Sequence, residues 1–264
     1  MGILNITPDS FSDGGQFFTV ASAVKQAIKM EQDGADIIDV GGESTRPSAI
    51  PVTTREELCR VVPVINALLQ KVTIPLSIDT TKAEVAQKAI ELGVSIVNDI
   101  SGLTRDPEMI SVVSKSKAGL IIMHSRGTPQ TMQKNPRYKN IIKEVYRFLE
   151  QQMQQAIDGG ISKNRIAVDP GIGFGKTVHH NVTLINRLAD FLPLGVPILI
   201  GPSRKSFIRV LLNATDLPNA IHDGTAVSVS LAIANGARIV RVHDVESMKR
   251  VSQMADAILR GKGG

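Results

Sequence analysis

The sequence predicts an α/β protein, a single (β/α)8 barrel of the TIM type. Eight short apolar runs recur along the chain, and each ends at or just before a charged or amide residue. A segment with helical spacing follows each run, and strands that alternate with amphipathic helices build parallel sheets. The length, 264 residues, is close to the roughly 250 of one closed eight-unit barrel.

The runs are Gly2–Ile6, Asp36–Val40, Pro75–Ile78, Val94–Val97, Gly119–Met123, Arg165–Val168, Pro197–Ile200 and Arg238–Val242. At or just past them, in order, stand Asn5, Glu43, Asp79, Asn98, His124, Asp169, Lys205 and His243. In a barrel the strand ends converge on one face, so these residues are expected to line one pocket. The expected helices are Val20–Gln32, Arg55–Lys71, Lys82–Glu91, Pro107–Lys115, Tyr138–Ile157, Val182–Phe191, Thr225–Asn235 and Val245–Leu259. Asp106 before Pro107 reads as an N-cap with proline at the first helical position, and Gly93 and Gly236 read as helix stops. No linker or low-complexity stretch divides the chain, so residues 1–264 read as one domain. Two connections, Thr7–Thr19 and Gly41–Thr54, are long and polar; such loops close over ligands more often than they merely join elements.

Composition narrows the function classes. Hydrophobic residues make up 42% of the chain, enough for a core, and aromatic residues 3%. The net charge of +5 is scattered, with no basic tract and no tryptophan. That speaks against nucleic acid and for a small anionic substrate. No apolar run reaches the ~18 residues of a membrane span, and no secretory leader is visible. Cys59, the one cysteine, excludes an internal disulfide and suits a reducing cytoplasm. Its neighbours Leu58, Val61, Val62 and Ile65 suggest that it is buried.

Asp79, Asn98 and Asp169 close strands three, four and six. Two carboxylates and an amide facing inward suit a flat heterocycle with several ring N–H groups. Asp79 could instead cap the next helix, and Asp169 the turn before Pro170; Asp99 suits a turn. Asp169-Pro-Gly-Ile-Gly-Phe-Gly-Lys176-Thr177 resembles a phosphate loop but has three residues, not four, between Gly171 and Gly175. Its glycines suit backbone passing close to a flat ligand, with Phe174 as an apolar wall. Ser203-Arg204-Lys205-Ser206 precedes the apolar segment Phe207–Leu212 and offers an anion site at a helix start. Arg241 and His243 share one face of strand eight by alternation, where a guanidinium and an imidazole suit phosphate oxygens. His124 could be structural or functional; His179, His180 and His222 read as solvated or loop-packing. No His/Cys/Glu cluster has zinc spacing.

Taken together, these segments resemble the dihydropteroate synthase family over Gly2 to about Ala257. The landmarks are Ile3 to Gly15 (ILNITPDSFSDGG), Gly41 to Pro47 (GGESTRP), Ser77-Ile78-Asp79-Thr80, Asn98-Asp99-Ile100, Met123-His124, Asp169-Pro170-Gly171, Ser203 to Ser206 and Arg241-Val242-His243-Asp244. The resemblance implies a pterin-binding barrel that joins 6-hydroxymethyl-7,8-dihydropterin diphosphate to p-aminobenzoate and releases pyrophosphate, in folate biosynthesis. It implies that Asp79, Asn98, Asp169 and Lys205 hold the pterin between Met123 and Phe174. Asn5, Arg46, Arg241 and His243 would hold the diphosphate, Asn5 through Mg²⁺. Phe11, Thr45, Pro47, Lys205 and Ser206 would frame p-aminobenzoate. A homodimer is implied, and sulfonamides as ligands. Ser125-Arg126 stands where a second methionine is expected. The rival readings are a pterin-binding methyltransferase domain, which has less need of Arg46, Arg241 and His243, and a barrel that binds ligand without turnover.

Overall fold

The structure is a computed structural model, and it describes residues 1–6, 19–44, 46, 49–213 and 217–261. Six parallel strands run in chain order: β1 (Gly2–Asn5), β2 (Ile38–Gly41), β3 (Leu76–Asp79), β4 (Ile96–Asp99), β5 (Gly119–Met123) and β6 (Ile166–Asp169). β7 (Leu199–Ile200) and β8 (Ile239–Val240) form a parallel pair. Two single bridges complete the ring, Val168 with Ile198 and Gly2 with Val242. At the second seam the Ile3 N–H donates to Val242 O at 3.0 Å and Val242 N–H to Met1 O at 2.9 Å. The barrel therefore closes, with thin pairing on either side of β7 and β8.

The helices wrap this ring: α1 (Val20–Gln32), α2 (Thr54–Leu68), α3 (Ala83–Leu92), α4 (Met109–Ser114), α5 (Ile141–Asp158), α6 (Val178–Asn186), α7 (Ser206–Leu212), α8 (Leu217–Ala234) and α9 (Val245–Leu259). The main core lies between strands and helices, where Leu4, Ile38, Val40, Ile78, Val97, Ile122 and Val168 meet residues such as Ile65, Val85 and Leu149. A smaller cluster of Met1, Ile121, Ala167 and Leu199 fills the barrel interior.

Four expectations shift. The sixth helix starts at Val178 because Thr177 caps it, accepting from the His180 N–H while His180 Nδ1 accepts from the Thr177 N–H. A 3-10 turn over Leu188–Leu194 replaces its expected end. α8 begins before Thr225 and carries Gly224 inside it; a Cβ there would sit 2.2 Å from Ile208 Cγ2, so α7 and α8 need that glycine to pack. Asp106 is not the N-cap of α4, which starts at Met109 after Glu108 with no side-chain cap; its carboxylate accepts from Ala83 N–H at 2.7 Å and Glu108 N–H at 3.1 Å instead. Cys59 is exposed, not buried. The inner stripe of α2 is Glu57, Val61, Val64, Ile65 and Leu68, and two residues past Glu57 is about 200° around the helix. Among the described residues no helix is long and apolar enough to cross a membrane.

Candidate functional site

Strand register builds the floor of the site. Asn5 pairs with Gly41, Gly41 with Asp79, and Asp79 with Asn98. These four positions form one row across the C-terminal ends of β1 to β4. Gly41 leaves a gap in the row: a Cβ there would lie 3.5 Å from Asn5 Oδ1 and 3.6 Å from Asp79 Cβ. Met123 and Asp169 pair in the same way on β5 and β6.

A charged network lies under that row. The Arg241 guanidinium donates from Nε to Asp39 Oδ2 at 2.6 Å and from Nη2 to Asp79 Oδ2 at 2.7 Å. Asn98 Nδ2 donates to the same Asp39 oxygen at 3.0 Å. Asp39 was not anticipated; the available signal was a carboxylate on the inward face of an otherwise apolar strand, two residues before Gly41. Burial pushes the Asp79 carboxyl above its ordinary range, with Arg241 opposing. Among the described residues, no donor reaches the buried Asn98 Oδ1 or Asp39 Oδ1. Buried acceptors are costly to leave unpaired, so a ligand with ring N–H groups fits this floor. Asp79 does not cap α3 with its side chain.

The β6–α6 loop forms one wall. Asp169 Oδ1 accepts from Gly171 N–H at 2.7 Å, which fixes the turn after Pro170. Burial raises the Asp169 carboxyl to about 6, against the pull of the Gly171 N–H, Lys205, Lys176 and Arg241. The turn role expected of Asp169 is therefore present. Lys205 Nζ stands 4.1 Å over the Phe174 ring, and burial with Arg241 nearby lowers it to about 8. Met123 is buried beside this loop. His124 packs edge-on against Phe148, with centroids 4.9 Å apart, and burial lowers it to about 2. Lys176, set aside when the phosphate-loop test failed, is 2% exposed.

At the β7 and β8 ends, Ser203 Oγ accepts from the His243 N–H at 3.2 Å and lies 3.0 Å from His243 Nδ1. The Ser203 hydroxyl can either donate to Nδ1 or accept from it, according to the tautomer. Burial, with Arg204 and Arg241 nearby, lowers His243 to about 3. Arg204 is exposed with φ 57°, Ser206 opens α7, and Arg46 is exposed beyond β2. Phe11, Thr45 and Pro47 lie outside the described residues. Asn5 ends β1, half-buried, with its Oδ1 beside Gly41. The Asp99 carboxylate takes the Ser101 N–H at 2.8 Å and the Leu103 N–H at 2.9 Å, a turn role.

A small cavity of about 30 Å³ opens beside Asp79 and Phe174, lined also by Glu43, Glu57, Thr80 and Arg105; Asn98, Met123, Asp169, Lys205 and Arg241 do not line it. Lys82 Nζ bridges Glu43 and Glu57 there, the second at 2.5 Å. That bridge ties the start of the β2–α2 loop to α2 and was not foreseen.

Comparison with known proteins places this geometry. A family described as pterin binding enzyme matches residues 1–243. The dihydropteroate synthase of Synechocystis sp. is 50% identical over 260 residues, covering 98% of this chain and 90% of the relative. That of Bacillus subtilis is 43% identical over 264 residues, covering 100% and 89%. Among solved structures, a Yersinia pestis dihydropteroate synthase with a sulfonamide drug superposes with TM-score 0.92 at 39% identity, over 98% of this chain and 93% of the other. A Clostridium difficile dihydropteroate synthase in the presence of pteroic acid gives 0.90 at 45%, over 98% and 95%.

Proposed function

The chain belongs to the pterin-binding enzyme family, and we infer from its site that it is a dihydropteroate synthase. It is a transferase of folate biosynthesis that condenses 6-hydroxymethyl-7,8-dihydropterin diphosphate with p-aminobenzoate and releases pyrophosphate. The observation that carries the reading is the buried floor of Asp39, Asp79, Asn98 and Asp169, where two acceptors have no donor among the described residues. Relatives in this family support the same substrates: a Xanthomonas albilineans structure is described with 4-aminobenzoic acid and another with 7,8-dihydropteroate.

Asp79, Asn98 and Asp169 accept the ring and amino N–H groups of the pterin. Met123 and Phe174 flank its faces, and Lys205 stands above Phe174 at the margin toward the second substrate. Arg46, Ser203, His243 and the Nη1 edge of Arg241 surround the diphosphate, with His243 as a hydrogen-bond donor. Thr45, Pro47, Phe11, Lys205 and Ser206 frame p-aminobenzoate. The arylamine is neutral near pH 7, so attack needs no strong base. The new bond joins its nitrogen to the pterin methylene as the methylene–oxygen bond to diphosphate breaks; the amine proton leaves to solvent. Negative charge beneath the pterin, from Asp79 and Asp169, stabilises positive charge spreading into the ring, which favours a dissociative substitution.

Mg²⁺ fits this chemistry as a guest of the diphosphate. It keeps several waters and takes only one or two protein oxygens in such sites. Asn5 Oδ1 is the oxygen this chain offers: it ends β1 and faces the gap that Gly41 leaves, and a neutral amide oxygen is a hard donor that suits Mg²⁺. When bound there, Mg²⁺ would offset charge on the leaving group.

The outer face supports a homodimer. Val210, Leu211 and Leu212 on α7, Val227 and Leu231 on α8, and Met254, Ile258 and Leu259 on α9 are all exposed. The direct test of function is pyrophosphate release from the pterin diphosphate, with and without p-aminobenzoate. Release only with both substrates is expected; release without the arylamine, or none with both, would overturn the assignment.

A further inference from the structure

The loop that follows β6 lies hard against the end of β5. Gly171, Gly173 and Gly175 all have positive φ, at 73°, 85° and 66°. A Cβ on Gly171 would come within 1.9 Å of His124 O, and one on Gly175 within 2.4 Å of Arg126 O. Three successive carbonyls of this loop each receive a side-chain donor. Gln133 Nε2 reaches Gly173 O at 2.6 Å, Lys176 Nζ reaches Phe174 O at 2.9 Å, and Tyr138 Oη reaches Gly175 O at 2.9 Å.

Lys176 differs from the other two donors in being almost wholly buried. Its ammonium also lies 2.9 Å from His124 Nδ1 and 3.3 Å from His124 O. Three N–H groups thus meet three neutral acceptors, and no carboxylate is among them. Burial lowers this amine to about 7, with Asp169 opposing and Lys205 and Arg126 adding to the fall, whereas a methionine would fill the same space with no charge to desolvate. What the methionine could not do is hold Phe174 O and His124 together. The Phe174 ring in turn carries Lys205 Nζ.

We propose that Lys176 is a positioning residue that clamps Phe174 to the end of β5, setting the wall of the pterin slot and, through that ring, the place of Lys205. The proposal rests on the pterin reading above. It acts through Phe174, so its loss matters only while the Phe174 ring is present.

Calorimetric titration of 6-hydroxymethylpterin into the whole protein tests this as a double-mutant cycle. Lys176→Met is expected to weaken binding about tenfold, but by less than about twofold when added to Phe174→Ala, because residues acting as one unit are not additive. Lys176→Gln keeps two N–H donors and should recover about half of the loss, binding about threefold more weakly than the parent. Tyr138→Phe, which strips the donor from the next carbonyl, should stay within about twofold of the parent. Should Lys176→Met fail to fold, judged by circular dichroism, Lys176→Gln replaces it in the same cycle, with about threefold loss expected alone and none beside Phe174→Ala. Parent-like affinity in the variant used, or the same loss with and without the Phe174 ring, overturns the clamp. Failure of the parent protein itself to bind the pterin overturns the underlying reading instead, and the two failures are read from different titrations.

Discussion

At the residue scale, the pocket pairs each acceptor with a reason for its chemistry. Asp169 sits at the end of β6, where burial raises it to about 6 while Gly171 holds one oxygen. Asp169→Asn keeps the shape and removes the charge, and hydrogen bonds to a charged group are worth about 1.5–3 kcal/mol. Pterin affinity should fall by roughly 10- to 100-fold by calorimetry, with the circular dichroism spectrum unchanged; an unchanged affinity would remove Asp169 from the site. The same carboxyl sets a pH dependence. Its folded pKa lies above the ordinary 3.8 of an aspartate. Its own contribution to stability is therefore full below the unfolded value and is lost as pH rises through about 6. Pterin N–H donors need the ionised form, so affinity should move the opposite way, strengthening as pH rises from about 5 to about 7. That slope should flatten in Asp169→Asn; an identical slope in parent and variant would assign it to another group.

At the element scale, β8 reaches across the barrel mouth to β2 and β3 through Arg241. Its guanidinium serves both Asp39 and Asp79, so the diphosphate role implied by resemblance is shared with a structural one. Removing one partner of a buried ion pair is costly, about 3–5 kcal/mol. Arg241→Met should lower stability by that order in urea unfolding and weaken unphosphorylated pterin as well as its diphosphate. Adding Asp39→Asn should restore part of the stability, since one of the stranded charges is then gone. Selective loss of the diphosphate alone would show that the ion pairs are incidental. The strands themselves were legible because each apolar run stops at a polar residue, and that punctuation marks the C-terminal ends where the pocket forms. The short pairing of β7 and β8 was not, because the barrel's closure decides how many residues meet at a seam. The start of α6 was hidden because its capping box uses His180 where a glutamate or glutamine is the usual signal. Asp39, Lys82 and Lys176 escaped because nothing in sequence spacing says that Asp39 lies under Arg241, Lys82 between two glutamates, or Lys176 behind Phe174.

At the scale of the whole molecule, the barrel presents two unlike outer sides. Exposed large apolar residues occur singly elsewhere, as at Val20, Ile50, Val182 and Leu192, but α7, α8 and α9 carry eight between them. Val227 and Leu231 are one helical turn apart, as are Met254 and Ile258, so each pair forms a stripe along its helix. Such contiguous patches on a soluble domain mark association surfaces, and a stable dimer buries on the order of 1,600 Å² in total. A two-fold contact places the same stripe on both partners, so one substitution strikes the interface twice. We therefore expect the protein to sediment as a dimer at micromolar concentration and Leu231→Glu to shift it to monomer. The pocket is built from strand ends and their loops on the barrel mouth, and none of its described polar floor lies on these stripes. Pterin affinity in the Leu231→Glu monomer should therefore stay within about threefold of the parent, since mutations at sites with no shared partners act independently. A parent protein that sediments as a monomer would leave the stripe to some other partner. A dimer unmoved by the glutamate would place the interface elsewhere on the barrel.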